Sequence, residues 1–249
     1  MEFFGQYSFL QYVTLILGAI IIGINKTGMP GIGTLPVVML ALAFPANLST
    51  GIQLLMLATA DIMAVSYYRI SGDWKLVLKL LPCAVGGLLL GSFSLRYVND
   101  ELLRQLIGGI ILFMAVLGIV KDLFFNAEKI PNHPLLAGVI GATAGFTTQV
   151  ANAAGPVMAL YLLAMRLPKK EYMGTSVLFF LLINWIKMPI FIFEGRINLT
   201  ALKLLLPMIP FLLLGAWLGV VFIRKAPQKL FNAIIQILVI ISAIKLLFS

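Results

Sequence analysis

The sequence predicts an all-α, polytopic integral membrane protein, and three observations lead there. Apolar residues make up 61% of the 249-residue chain against 11% charged residues, and the mean hydropathy is +1.05. A water-soluble domain of this length has too little interior to hide that much apolar surface, so lipid must cover it. Apolar stretches recur from end to end with short polar breaks, and about 20 residues suffice for one bilayer crossing. Finally, glycine- and proline-rich pieces interrupt the apolar pattern in matching places of the two halves. No hydrophilic segment is long enough for a separate soluble domain, so residues 1–249 are expected to form one transmembrane domain.

About ten helical segments are expected: residues 9–24, 33–44, 50–69, 76–95, 102–121, 134–147, 155–166, 173–194, 200–222 and 229–247. The second and seventh are too short to span comfortably, and each follows an irregular glycine-rich piece. Short pairs that dip in and return keep the loops on the sides that full crossings would give. Charge then sets the topology. Eleven cations (Arg69, Lys75, Lys79, Lys121, Lys129, Arg166, Lys169, Lys170, Arg224, Lys225, Lys229) fall on one set of loops. Five (Arg96, Arg104, Arg196, Lys203, Lys245) fall on the other, and Lys26 and Lys187 belong to no loop. The richer set should be cytoplasmic, which puts both termini outside in a bacterial-type inner membrane.

The halves echo each other. Pro45, Gly51, Asp61 and Gly72 recur 123 residues later as Pro168, Gly174, Asn184 and Gly195. "SGDWKLVLKLLP" is answered by "GRINLTALKLLLP", Gly91 has a counterpart near Gly215, and "NDELLRQ" one near "PQKLFNA". Five segments per half is an odd number, so residues 8–124 and 133–248 should be inverted repeats. The charges agree, because the 69–75 loop and its counterpart near 195–200 fall on opposite sets. Inverted repeats with interrupted helices mark secondary transporters, whose site lies between the halves near the midplane.

"GINKTGMPGIGTLP" (Gly23–Pro36) is the first interruption. Backbone leaves helical form at membrane depth only when it is buried in protein or lines a wet cavity. Glycine permits the turn, proline starts the next helix, and the free amides at that start attract anions. Lys26 adds a full charge beside Asn25 and Thr27. The second interruption, "GFTTQVANAAGP" (Gly145–Pro156), is uncharged and offers Thr147, Thr148, Gln149 and Asn152 as hydrogen-bonding groups. Facing each other, the two would form a polar cradle for a small anion. The competing reading is a surface loop with Lys26 snorkelling to headgroups.

Asp61 and Lys187 are the other embedded charges. Groups at such depth cost about 2.5–3.5 kcal/mol on insertion scales and face the bundle interior with a partner. Asn184 and Lys187 share a helix face at i and i+3. Asp61 has three open roles: a structural pair with a lysine, a coupling proton carrier, or a filter against wrong substrates. Asn47 and Asn198 suit helix N-caps better than glycosylation sites.

Several classes fall away. The net charge of +9 is dispersed between apolar runs, with no basic cluster to suggest nucleic acid. One cysteine, Cys83, excludes an internal disulfide framework, and one histidine, His133, argues against a Cys/His metal site. No G-x-x-x-x-G-K-[ST] motif occurs, which argues against nucleotide-driven transport by this chain. With His133 in a loop, a serine nucleophile lacks a base, so an enzyme is not expected. No cofactor is expected.

The stretches "GINKTGMPGIGTLP", "TADIMAVSYYRISGDWKL", "LLPCAVGGLLLG" and "GTSVLFFLLINWIKMP" together resemble the TauE/SafE sulfite exporter family of small anion permeases. The likeness covers nearly the whole chain. It implies an inverted-repeat transporter for sulfite, sulfonates and related sulfur-containing anions. Carried over by position, it implicates Asn25, Lys26, Thr27, Gly28, Gly31 and Gly33 in the first half and Thr175 in the second. Residues 31–34 read Gly-Ile-Gly-Thr where the family often has a glycine triplet, and the second motif is diluted to Asn152-Ala153-Ala154-Gly155.

The expected function is therefore secondary transport of a small anion by alternating access, with a passive anion channel of the same lining as the alternative. Gln149, Asn152, Asn184 and Lys187 complete the candidate substrate site, and Asp61 is the candidate coupling residue. The expected partners are the anion and the lipid bilayer, with room for a homodimer.

Overall fold

A computed structural model describes residues 6–28, 32–68, 71–124, 134–165 and 167–221, together with positions 240 and 244. The described residues are helical throughout, without strands. The helices are α1 (Phe9–Thr27), α2 (Thr34–Ala43), α3 (Ala46–Tyr68), α4 (Trp74–Leu95), α5 (Asp100–Phe124), α6 (Pro134–Ala151), α7 (Gly155–Ala164), α8 (Lys169–Phe193), α9 (Leu199–Leu205) and α10 (Ile209–Val221). Among the described residues, five spans are long and apolar enough to cross a membrane: α1, α3, α4, α8 and the α9–α10 unit. Apart from positions 240 and 244, the expected tenth segment (229–247) lies outside the described residues, as do Gly31 and His133.

Local chemistry sets the helix ends. Ser8 and Gln11 form a reciprocal capping box at the start of α1. Asp73 caps α4 by accepting from the amides of Lys75 and Leu76. Asn198 caps α9 by accepting from Ala201 N–H, as expected. Asn47 does not cap α3. That helix begins one residue earlier, at Ala46, and the Asp100 carboxylate of α5 accepts from both the Ala46 and Asn47 amides at 2.9 Å.

Both short helices appear where expected, but the breaks before them are narrower. α1 continues through Asn25 and Lys26 to Thr27, leaving only residues 28–33 between it and α2. The Thr27 hydroxyl donates to Gly23 O and Ala216 O, which ties the last turn to α10. α6 likewise runs past residue 147 to Ala151, and Asn152 (φ +51°) ends it. Asparagine tolerates this left-handed geometry and serves as a helix stop. The ninth segment is divided: a 3₁₀ turn at Leu206–Met208, around Pro207, joins α9 to α10.

The long helices α3 and α8 pack against each other at the centre. On one flank α1 packs on α10, where Gly23 and Gly28 meet the backbones of residues 212–216 and Gly219. On the other flank α4 packs on α6, through Gly87, Gly141 and Gly145. Helices in lipid gain little from apolar burial against one another, so close contact at small residues carries the packing. The central pair is held the same way at both ends. Gly72 meets Gly174, and Gly51 meets the backbone of Arg196. Large apolar side chains such as Leu90, Phe93, Phe113 and Trp217 point outward, where lipid covers them.

A Cβ on Gly145 would run into the Ala84 carbonyl, whereas one on Gly86 meets nothing. Gly145→Ala should therefore destabilise by about 1–3 kcal/mol. Gly86→Ala should be neutral or stabilising by up to about 1 kcal/mol. Melting temperatures of the two variants in detergent test this; equal melting would contradict the α4–α6 contact.

Candidate functional site

Both helix breaks open onto one small cavity. It is lined by Asn25, Lys26, Gly33 and Thr34 from the first break, and by Thr148, Asn152, Ala153, Gly155 and Pro156 from the second. α8 supplies one stripe, Tyr172, Ser176, Phe180 and Asn184, and α3 contributes Leu57. The volume is about 70 Å³. One water needs roughly 10–15 Å³ on this scale, while clefts for drug-sized ligands run to about 300–1,000 Å³. The space suits a few waters or one small ion.

The lining is suited to an anion. α2 begins at Thr34 and α7 at Gly155, so the amino-terminal ends of two helices meet the cavity. Their free amides and dipoles favour negative charge. Asn25, Asn152, Thr148 and Ser176 add side-chain hydrogen-bonding groups.

The charges form two sets. In the first, Lys26 Nζ lies 2.5 Å from Asp61 Oδ1 and 4.5 Å from the centre of the Phe180 ring. Asn184 Nδ2 donates to Asp61 Oδ2 at 2.6 Å. Asp61 is fully buried and does not line the cavity, so Lys26 stands between it and the open space. In the second set, Lys187 is fully buried. Its ammonium donates to Thr148 O at 2.6 Å, Thr148 Oγ1 at 3.0 Å and Asn152 Oδ1 at 2.6 Å. A cation on the last turn of α6 meets the negative end of that helix. Asn152 in turn donates to Thr50 O and Gln53 Oε1 of α3, so Lys187 pins the second break to both central helices.

A third cluster closes the far end of α8. Glu194 accepts from Ser92 at 2.5 Å and from Gln149 at 3.1 Å, and it pairs with Arg196 at 3.0 Å. Arg196 also donates to Gln149 O. Burial pulls the Arg196 guanidinium below its ordinary pKa, and the Glu194 carboxylate opposes that pull. Across these clusters three cations face two carboxylates, leaving one positive charge in excess.

Of the residues singled out from sequence, Asn25, Lys26, Gly33, Thr148, Asn152 and Asn184 line the cavity. The others sit elsewhere. Thr27 bonds to α10, and Gly28 packs against Gly219. Gln149 holds Glu194, and Lys187 lies behind Thr148 and Asn152. The Thr175 hydroxyl accepts from Asp73 N–H at 2.9 Å, fastening α8 to the turn before α4. Gly31 lies outside the described residues. Tyr172, Ser176 and Phe180 were missed from sequence, although stepping back from Asn184 by one helical turn at a time finds all three. Glu194 was missed as well, because nothing in the spacing links it to Gln149.

A family model described as Sulfite exporter TauE/SafE matches residues 15–246. No curated protein and no solved structure matches the chain.

Removing Lys26 alone strands the Asp61 carboxylate, and breaking a buried pair costs about 3–5 kcal/mol. Lys26→Met should accordingly unfold at a much lower temperature. The double variant Lys26→Met/Asp61→Asn should recover most of that loss, leaving a folded protein without the cation. Thermal melts of the single and double variants decide it, and additive losses would mean that the two groups do not interact.

Proposed function

Because the chain belongs to the sulfite exporter TauE/SafE family, we propose that it is a secondary transporter carrying sulfite or a small organosulfonate by alternating access. The observation that carries this reading is the small cavity where the starts of α2 and α7 meet beside Lys26. Its size favours a single small oxyanion, and its amides and hydroxyls match an acceptor-rich sulfur oxyanion.

In this mechanism the anion's oxygens take the amides at the starts of α2 and α7, the Asn25 amide and the Ser176 hydroxyl. The anion competes with Asp61 for Lys26. As Lys26 turns to the anion, Asp61 loses its counter-charge and takes up a proton, with Asn184 holding its other oxygen. Anion and proton then move together, which makes Asp61 the coupling residue. Lys187 acts through Asn152 and Thr148: it holds the second break in shape and supplies the excess positive charge that offsets burial of the anion.

The two halves act as inverted repeats, and three contacts support that reading. Asp61 and Asn184, 123 residues apart, bond directly, as residues on a twofold axis would. The contact of Gly72 with Gly174 corresponds to that of Gly51 with Arg196, next to Gly195. The α1–α10 packing corresponds to the α6–α4 packing. The chain would sit in the inner membrane with both termini outside.

Labelled sulfite should accumulate in proteoliposomes preloaded with unlabelled sulfite or an organosulfonate, and less so with sulfate or carboxylates. The folded double variant Lys26→Met/Asp61→Asn should show none. Asp61→Asn alone should bind the anion but lose the pH dependence of uptake. Voltage-driven flux without counterflow would replace the carrier with a channel.

A further inference from the structure

We infer that Ser49, Thr50 and Gln53 of α3 form a second, closed approach to the anion cavity, from the side opposite the one along which it now extends, and that Asn152 is its plug. The inference rests on the alternating-access reading above and names the residues of its other state.

The 123-residue offset pairs the two central helices position by position. Around Asn184 the cavity has matched lining on both sides: Asn25 pairs with Thr148, Gly33 with Pro156, and Phe180 with Leu57. Beyond this centre the matching stops. The cavity continues along α8 past Ser176, Met173 and Tyr172, toward the turn before that helix. Their counterparts on α3 are Gln53, Thr50 and Ser49. None of these three lines the cavity.

The α3 residues nonetheless have the chemistry of a path. Ser49, Thr50 and Gln53 are polar and at most 2% exposed, while Tyr172 and Ser176 are partly exposed. They lie on one helix face that continues to Leu57 and Asp61. Gln53 Nε2 is buried with no hydrogen-bond partner. An unpaired donor in that position costs free energy in a single fixed state and is explained by a partner that arrives in another. An anion oxygen is such a partner. The Ser49 and Thr50 hydroxyls donate to carbonyls of their own helix, so Gln53 is the residue of this stripe that carries the inference.

What closes the path is also in view. Asn152 lines the cavity on one side, and on the other its amide donates to Thr50 O and Gln53 Oε1. The Glu194–Arg196–Gln149–Ser92 cluster ties α4, α6 and the end of α8 together near the start of α3, where Gly51 meets the Arg196 backbone. Releasing Asn152 from α3 would connect the cavity to Gln53, and parting the Glu194 cluster would connect Gln53 to water.

The test uses single cysteines at Gln53, Ser49 and Ser176 in the full chain carrying Cys83→Ser, reconstituted in sealed vesicles. A membrane-impermeant maleimide is added from either side, with and without methanesulfonate, which does not react with it. Ser176→Cys should label from the side of the 166–170 turn. Gln53→Cys and Ser49→Cys should label from the opposite side only, and several-fold faster when Asn152→Ala or Glu194→Gln is added. Counterflow of the Cys83→Ser parent is measured in the same vesicles. Active counterflow with positions 49 and 53 unlabelled in every background, or labelled from the same side as 176, would overturn the second approach and leave the transporter reading intact. A well-folded parent without counterflow would instead remove the transporter reading.

Discussion

Everything in the bundle depends on how one buried carboxylate is neutralised. The Asp61 side chain is fully buried on α3, where an unpaired charge would cost several kcal/mol. Two groups answer it from two directions, Lys26 from the end of α1 and Asn184 from α8. That demand fixes where α1 must end relative to α3, and how far α8 slides along α3. It also brings a cation to the edge of a cavity without leaving it bare. A cation already matched by a carboxylate is cheap to hold at membrane depth, yet an incoming anion can compete for it.

The second half solves the same problem with the parts exchanged. There the long helix carries the cation, Lys187, and the break supplies neutral acceptors, Thr148 and Asn152. No carboxylate is bonded to Lys187, so by formal count the cations of these clusters outnumber the carboxylates by one. Helix ends finish the arrangement: Lys26 belongs to the last turn of α1, Lys187 of α8 bonds the last turn of α6 at Thr148, and the starts of α2 and α7 meet the cavity. Each break thus gathers its cation at the negative end of one helix and its anion-binding end on the next.

Much of this was legible in the sequence. A lysine and an aspartate cannot sit in apolar runs without partners, so Lys26 and Asp61 announced themselves, as did the short helices after each glycine-rich piece. The offset linking Asp61 to Asn184 anticipated a contact that the structure contains. What escaped was local. Helix α1 continues past residue 24 to Thr27, whose hydroxyl finds an acceptor, Ala216 O, on α10, a neighbour nearly two hundred residues away. Thr175 carries a family motif position, but its hydroxyl is taken by a backbone amide in the α3–α4 turn. Side-chain type marked both residues as polar; only packing says whether the polarity faces a cavity or a neighbour's backbone.

That distinction also explains why a symmetric sequence pattern yields an asymmetric structure. If both halves were closed alike, their polar stripes would be equally buried; if both were open, the chain would leak. One stripe, at Tyr172 and Ser176, borders open space, and the matching stripe at Ser49 and Gln53 is covered. Among the contacts that cover it are two hydrogen bonds from Asn152, to Thr50 O and Gln53 Oε1. Each such bond is worth about 0.5–1.5 kcal/mol net, and in the proposed mechanism they are the contacts that a bound anion would have to outweigh. The glycine contacts at Gly72–Gly174 and Gly51–Arg196 hold the central helices together at both ends. In the proposed alternating-access cycle, the motion that exchanges the two stripes would then come from the flanking pairs, α1 with α10 and α4 with α6, around the α3–α8 core.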